Sequence, residues 1–187
     1  GGTYEASVLD ILEQAASGRV LAYEPATGYT QVVADGFSFA NGVALSADES
    51  FVAIAETGGY RVQRYYLEGP RAGTHDMLIE NLHGFPDNIA RGSDGLIWIT
   101  QASPRDPALD ALLPRVPWLR KLAWSLPDAV LAPKRAVWVI AVDDQGQIVH
   151  DLQGTLEGFS MATGVREHQG TVYLGSLLGE HIASFVL

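Results

Sequence analysis

Short apolar runs alternate with polar turns along most of this chain, and one arrangement of them recurs three times. The first copy places Phe39-Ala40-Asn41-Gly42 before an apolar run, a polar turn and a second apolar run that ends at Ala55. Similar stretches begin at Phe85-Pro86-Asp87-Asn88 and at Met161-Ala162-Thr163. Apolar runs of this length, bounded by turn residues, predict β-strands and an all-β protein.

The spacing of the three copies indicates a structural repeat. Asn41 and Asp87 are 46 residues apart, and Asp87 and Thr163 are 76 apart. A helical-looking insertion of about 30 residues, at 104–133, accounts for the longer interval. Repeats of 40–50 residues with up to four short strands each are typical of β-propeller blades.

We predict two complete and two partial blades. The predicted strands are Gly18–Tyr23 and Thr30–Val33; Val43–Ser46, Phe51–Ala55, Val62–Tyr66 and Asp76–Glu80; Ile89–Arg91, Leu96–Thr100, Val137–Val142 and Ile148–Asp151; and Gly164–Glu167, Thr171–Leu174 and His181–Val186. This is about half a propeller, and it would leave unpaired strand edges, which folded proteins avoid. Either residues 1–187 are the carboxy-terminal half of one propeller domain whose amino-terminal half is missing, or half-propellers associate to close a ring.

Composition narrows the class of protein. With 187 residues, of which 47% are hydrophobic, the chain can bury a core and is not a disordered sequence. The net charge of −10 disfavours nucleic acid as a partner. No apolar run reaches the ~18 residues that a membrane-spanning helix needs. There is no cysteine, and the cellular compartment stays open because a leader could precede a missing half.

The residues just before each innermost strand are the candidate site. Innermost strands line the central channel of a propeller, so Asn41, Asp87 with Asn88, and Thr163 are predicted at one channel mouth. Carboxylate and amide oxygens that converge on one axis suit a hard cation such as Ca²⁺. The alternative is that Asn and Asp only stabilise tight turns there.

The insertion at 104–133 is predicted to lie over the same channel mouth, because it connects the second and third strands of a blade. Residues 105–135 hold six Lys or Arg against three acidic residues, so this segment is +3 while the rest of the chain is −13. Three interpretations remain open: it packs on the propeller, it covers a substrate pocket, or it contacts a membrane surface or a partner.

Four further residues are candidates near the channel. His83 lies four residues before Asp87 and is either a catalytic acid or base or an ordinary loop histidine. Phe39, Phe85 and Met161 precede the innermost strands, where they either pack between blades or form an apolar substrate-binding wall.

Several of these motifs together resemble the strictosidine synthase-like family. The stretches that carry the resemblance are Gly18–Pro25, Phe39–Val43, Phe85–Ile89, Glu167–Leu177, and Leu113-Pro114-Arg115 with Trp118-Leu119-Arg120-Lys121 in the insertion. That family is grouped with paraoxonases, gluconolactonases and diisopropylfluorophosphatase-like enzymes in a superfamily of six-bladed propellers. Its members are roughly twice as long as this chain, which agrees with the strand count.

The resemblance implies a chemistry and a ligand set. Asn41 and Asp87, with Asn88, match positions that hold Ca²⁺ or another divalent cation in the metal-dependent relatives, whose other ligands would lie in the missing half. Thr163 occupies the position of the catalytic glutamate of strictosidine synthase, which argues against a condensing lyase. We therefore expect a divalent-metal-dependent hydrolase of lactones or esters, with Asp87 or His83 as the catalytic base and Thr163 near the substrate. The alternatives are an amine–aldehyde condensing lyase and a non-catalytic binding propeller.

Overall fold

Thirteen antiparallel strands form four sheets in the computed structural model, which describes residues 10–11, 13, 15–112 and 135–187. The strands are β1 (Gly18–Glu24) and β2 (Tyr29–Phe37); β3 (Ala40–Leu45), β4 (Phe51–Glu56), β5 (Arg61–Tyr66) and β6 (His75–Ile79); β7 (Gly84–Arg91), β8 (Ile97–Pro104), β9 (Val137–Val142) and β10 (Ile148–Gly154); and β11 (Ala162–His168), β12 (Thr171–Ser176) and β13 (Ala183–Val186). One helix, α1 (Pro107–Leu112), follows β8.

Each sheet is a meander in which consecutive strands pair, as propeller blades require. The two complete blades have the orders β3-β4-β5-β6 and β7-β8-β9-β10, the first sheet is a two-stranded hairpin, and the last has three strands. The predicted all-β fold, with two complete and two partial propeller blades, is therefore confirmed. Within the described residues, no helix is both long enough and apolar enough to span a membrane.

The hydrophobic core lies between the blades, and the two middle strands of the second complete blade, β8 and β9, contribute side chains to a core cluster on each of their faces. β8 and β9 are consequently buried along nearly their whole length. One core cluster joins the two complete blades through residues such as Phe51, Val62 and Ile99. A second cluster, which includes Trp98 and Val172, joins the last complete blade to the final one.

A buried carboxylate fastens the last two blades at the end of the sheets where β7 turns into β8 and β11 into β12. Glu167 is 1% exposed and accepts hydrogen bonds from the backbone N–H groups of Ser93, Asp94 and Gly170. Burial alone would raise the pKa of Glu167, but these N–H groups, with the Ser93 hydroxyl, hold it below its ordinary value.

The innermost strands begin earlier than predicted, and this corrects the expected position of the site. β3, β7 and β11 already include Asn41, Asp87 and Thr163, so these residues lie within strands and not in the preceding loops. Pro86 and the Asn41-Gly42 pair resemble turn signals in sequence. In the folded chain they occupy irregular strand positions, where missing ladder hydrogen bonds are tolerated.

The insertion can be followed only at its beginning. β8 runs through Pro104, and α1 follows; residues 113–134 of the predicted 104–133 insertion lie outside the described residues. Arg105 donates its backbone N–H to the His83 carbonyl at 2.9 Å and its guanidinium to Asn81 Oδ1 at 2.7 Å. The start of the insertion therefore contacts the loop that leads into β7.

Candidate functional site

A β-bulge interrupts each innermost strand at its predicted site residue. The pairing register shifts between Ala40 and Val43 in β3, between Pro86 and Ile89 in β7, and between Ala162 and Gly164 in β11. Bulges redirect side chains and are common next to active sites. The three repeats thus share a backbone irregularity that the sequence pattern did not reveal.

Gly42 allows β3 and β7 to approach each other closely beside the site. A Cβ atom on Gly42 would lie 2.4 Å from the Ile89 nitrogen and 2.6 Å from the Asn88 Cα. Both neighbours are backbone atoms, which cannot rotate away. Only glycine fits at this position, and its presence after Asn41 places the Asn41 side chain beside β7.

Two threonine hydroxyls connect neighbouring blades at the level of the bulges. Thr57 Oγ1 donates to the Pro86 carbonyl at 2.6 Å and accepts from Asn41 Nδ2 at 3.2 Å. Thr100 Oγ1 lies 3.0 Å from the Asn88 carbonyl and 3.1 Å from the Thr163 carbonyl, and its proton serves these two acceptors.

These threonines determine which way the Asn41 amide points. The single proton of Thr57 is used by a carbonyl that can only accept, so Thr57 must accept from Asn41. Nδ2 of Asn41 is thereby directed at Thr57, and Oδ1 remains available as an oxygen ligand. Sequence reasoning missed both threonines, although a Thr at or shortly after the end of the second predicted strand in both complete blades was a usable signal.

Asp87 is the one group in the site whose ionisation is strongly perturbed. Burial raises the pKa of Asp87 to about 6, although hydrogen bonding from the Asn41 side chain and the Asn88 backbone opposes the shift. Asn88 Nδ2 also donates to Asp87 Oδ1 at 3.0 Å. Within the described part of the chain, no Lys or Arg forms an ion pair with Asp87. The Asn41 side chain and Asp87 are hydrogen-bonded neighbours, and their role as metal ligands stays a prediction.

The side chains of His83 and Phe85 contact aromatic residues of the blades. The His83 side chain is exposed, and its ring lies 6.4 Å from the ring of Trp138 on β9, the third strand of its blade. Phe85 packs against Tyr60 with ring centroids 4.8 Å apart. The roles of these two residues stay predictions.

Phe39 and Met161 occupy equivalent positions and share an unusual backbone conformation. Each lies two residues before its site residue, Asn41 or Thr163, with φ of 58° and 55° respectively. Positive φ is uncommon for side chains of this size. Met161 is 5% exposed and belongs to the buried core, and a direct contact with substrate stays a prediction for both residues.

The donor atoms at this site suit part of a hard-cation site. One carboxylate on Asp87 and the amide oxygens of Asn41 and Asn88 are the ligand type that Ca²⁺ prefers, but Ca²⁺ takes about 6–8 oxygens. Nowhere in 10–11, 13, 15–112 and 135–187 do three His, Asp or Glu side chains form a metal-binding group. These residues alone could supply only some of the ligands.

Comparison with known proteins confirms the family resemblance. The sequence profile of the strictosidine synthase family matches residues 3–70. The chain is 36% identical over 187 residues to adipocyte plasma membrane-associated protein of Danio rerio, covering 95% of this chain and 44% of that protein. It is 33% identical over 171 residues to strictosidine synthase-like 13 of Arabidopsis thaliana, covering 87% of this chain and 42% of that protein.

Solved structures show the same fold. A gluconolactonase from Xanthomonas campestris superposes with a TM-score of 0.62 at 15% identity, over 93% of this chain and 46% of that one. The calcium-binding protein regucalcin from Agrobacterium tumefaciens gives 0.56 at 15% identity, over 90% and 47%. At this identity the similarity concerns the fold alone, and this chain spans about half the length of the proteins it matches.

Proposed function

From its similarity to the strictosidine synthase-like family, we propose that this chain contributes the metal-binding half of a divalent-metal-dependent hydrolase of lactones or esters. Asn41 and Asp87, with Asn88, would hold the cation, and the hard oxygen donors favour Ca²⁺. A cation bound there would act as a Lewis acid on the carbonyl of the substrate. The remaining ligands would come from the remainder of the propeller.

The observation that carries this proposal is the state of Asp87. Its carboxylate is partly buried, lies against two amides, and forms no ion pair with a cationic side chain in the described residues. Such a group is costly to keep ionised without a counter-charge. A bound cation would supply the counter-charge that the ionised Asp87 carboxylate lacks, and carboxylates with perturbed pKa values are common at functional sites.

The protein's own residues have separate tasks in this proposal. Thr57 orients the Asn41 amide, and the Gly42 contact fixes the distance from β3 to β7. Asp87 and His83 are the two candidates for the base that activates water, and Asp87 is the one that lies on an innermost strand. Phe39, Phe85 and Met161 are proposed as the apolar side of the substrate site.

Thr163 favours hydrolysis over the condensing alternative. It lies on β11, at the position where the resemblance would require a glutamate as the base of a condensing lyase. A threonine hydroxyl is not a base near neutral pH. Hydrolysis assisted by a cation needs no carboxylate at this position.

Calorimetric titration of Ca²⁺ into the intact protein with its complete propeller, combined with a panel of lactones and aryl esters, tests this function. Asn41→Ala and Asp87→Ala should both abolish cation binding and turnover, whereas Asp35→Asn, a charge change at an exposed position of β2, should affect neither. Turnover that survives a chelator would exclude the metal mechanism. Cation binding without turnover of any substrate would favour the non-catalytic binding propeller.

A further inference from the structure

A cavity lies between the last complete blade and the final blade. Its volume is about 300 Å³. Its walls are the beginning of β9, the loop that follows β10, and the loop that follows β12. The lining residues that determine its chemistry are Arg135, Val137, Thr155, Leu156, Phe159 and Leu178.

Hydrogen bonds hold all three walls of the cavity in place. The Met161 N–H donates to the Ala136 carbonyl at 3.1 Å, and the Leu177 N–H donates to the Met161 carbonyl at 3.2 Å. Ser176 Oγ donates to the Ser160 carbonyl and accepts from the backbone N–H groups of Leu178 and Gly179. The cavity is therefore preformed, as binding sites for small molecules usually are.

The cavity combines an apolar interior with one cation. Phe159 is 5% exposed and forms the floor, whereas Leu156 and Leu178, at 54% and 58%, present apolar surface at the rim. Arg135 is exposed, and in the described part of the chain no carboxylate forms an ion pair with it or lines the cavity. Arg135 also belongs to the segment 105–135, which is positive in an otherwise acidic chain.

The volume indicates how large a part of a ligand the cavity can enclose. At roughly 30 Å³ for each water-sized group, a cavity of about 300 Å³ accommodates about ten non-hydrogen atoms. A carboxylate uses three of these, which leaves a hydrocarbon portion of about seven carbons beyond the carboxyl group.

We propose that this cavity binds a small amphiphilic monocarboxylate, with its hydrocarbon chain against Phe159 and Leu156 and its carboxylate at Arg135. The planar guanidinium recognises carboxylates in a forked geometry. The cavity shares none of its lining residues with the Asn41–Asp87 site, so this inference does not depend on the proposed hydrolase function.

The test compares ligands that differ in one property at a time. Octanoate, octanamide and acetate are titrated into the protein by NMR, and the backbone amides of Phe159 and Leu178 report on binding. Octanoate should bind more tightly than octanamide, because only octanoate carries the charge. Acetate should bind more weakly than either, because it lacks the chain.

Variants separate the charge from the apolar surface. Arg135→Gln should weaken octanoate roughly two- to five-fold, the range for an exposed charge pair, and leave octanamide unchanged. Leu156→Gln should weaken both ligands. Arg19→Gln removes an exposed charge on β1 and should change neither. Equal effects of Arg135→Gln and Arg19→Gln, or shifts by octanoate that avoid Phe159 and Leu178, would overturn the proposal.

Discussion

Gly42→Ala tests whether the close approach of β3 and β7 holds the candidate site together. The new Cβ would lie 2.4 Å from the Ile89 nitrogen, whereas ordinary contact begins near 3.4 Å, so the two strands must separate by 1.0 Å (3.4 − 2.4). The obstructing atoms are backbone, and no rotamer change relieves the overlap. Overpacking of a tight interior costs about 1–3 kcal/mol, and we expect the upper end, about 3 kcal/mol.

Chemical denaturation of Gly42→Ala beside Gly154→Ala measures this cost. Gly154 lies on β10, and a Cβ there meets nothing within 4 Å, so its substitution should be neutral or slightly stabilising. A loss of about 3 kcal/mol corresponds to a fall in Tm of roughly 6–12 °C for a chain of this size. Because the shift also moves Asn41 away from Asp87, cation affinity should fall with stability. Equal denaturation midpoints for the two variants would show that the strands are further apart than described.

Substitutions at three other residues give distinct predictions. Between about pH 4 and 6 the folded state holds the proton on Asp87 more tightly than the unfolded state, because the folded pKa is raised to about 6; stability without the cation therefore falls as pH rises through this window. Asp87→Asn should remove this dependence of stability on pH and should abolish cation binding. It should also raise the free energy of unfolding at pH 7 by about 1–2 kcal/mol, after allowance for solvent screening. Thermal melts that show an unchanged pH dependence would contradict the assignment of the raised pKa to Asp87. Glu167→Gln should lower the free energy of unfolding by about 1–3 kcal/mol at pH 7. Because the pKa of Glu167 is lowered in the folded state, this difference from wild type should shrink as pH falls below about 4. A difference that is constant with pH would argue against the role of the carboxylate. Thr57→Val should weaken Ca²⁺ binding about tenfold, as loss of a partner that orients a ligand does, and Thr57→Ser should restore it in calorimetry; equal affinities for the two variants would exclude the hydroxyl.

The blade arrangement could be predicted from sequence because it depends on period and alternation. The interval between Asn41 and Asp87, and the paired apolar runs after each, determine strand number and order. That Asn41 and Asp87 would meet also followed, because equivalent positions in adjacent blades must lie near one axis.

The fine structure of the site could not be predicted, since it depends on contacts between blades. A bulge is a change in pairing between two strands and leaves no fixed sequence mark, so Asn41 and Asp87 were assigned to loops. The hydrogen bond from Thr57 to Pro86 spans 29 residues of sequence, beyond any local pattern. The contact of the His83 ring with Trp138 on β9 could not be predicted either, because it joins two strands of a sheet; the role of His83 as a base stays a prediction.

Thr57 and Thr100 each hold a strand of the next blade by a single hydroxyl. The polar site is consequently formed at the contacts between blades and not within a single sheet. A substitution that shifts one blade by a fraction of an ångström would change the distance between the Asn41 amide and the Asp87 carboxylate. Substitutions of residues that are buried between blades and do not contact a ligand should therefore also change ligand binding at the Asn41–Asp87 site.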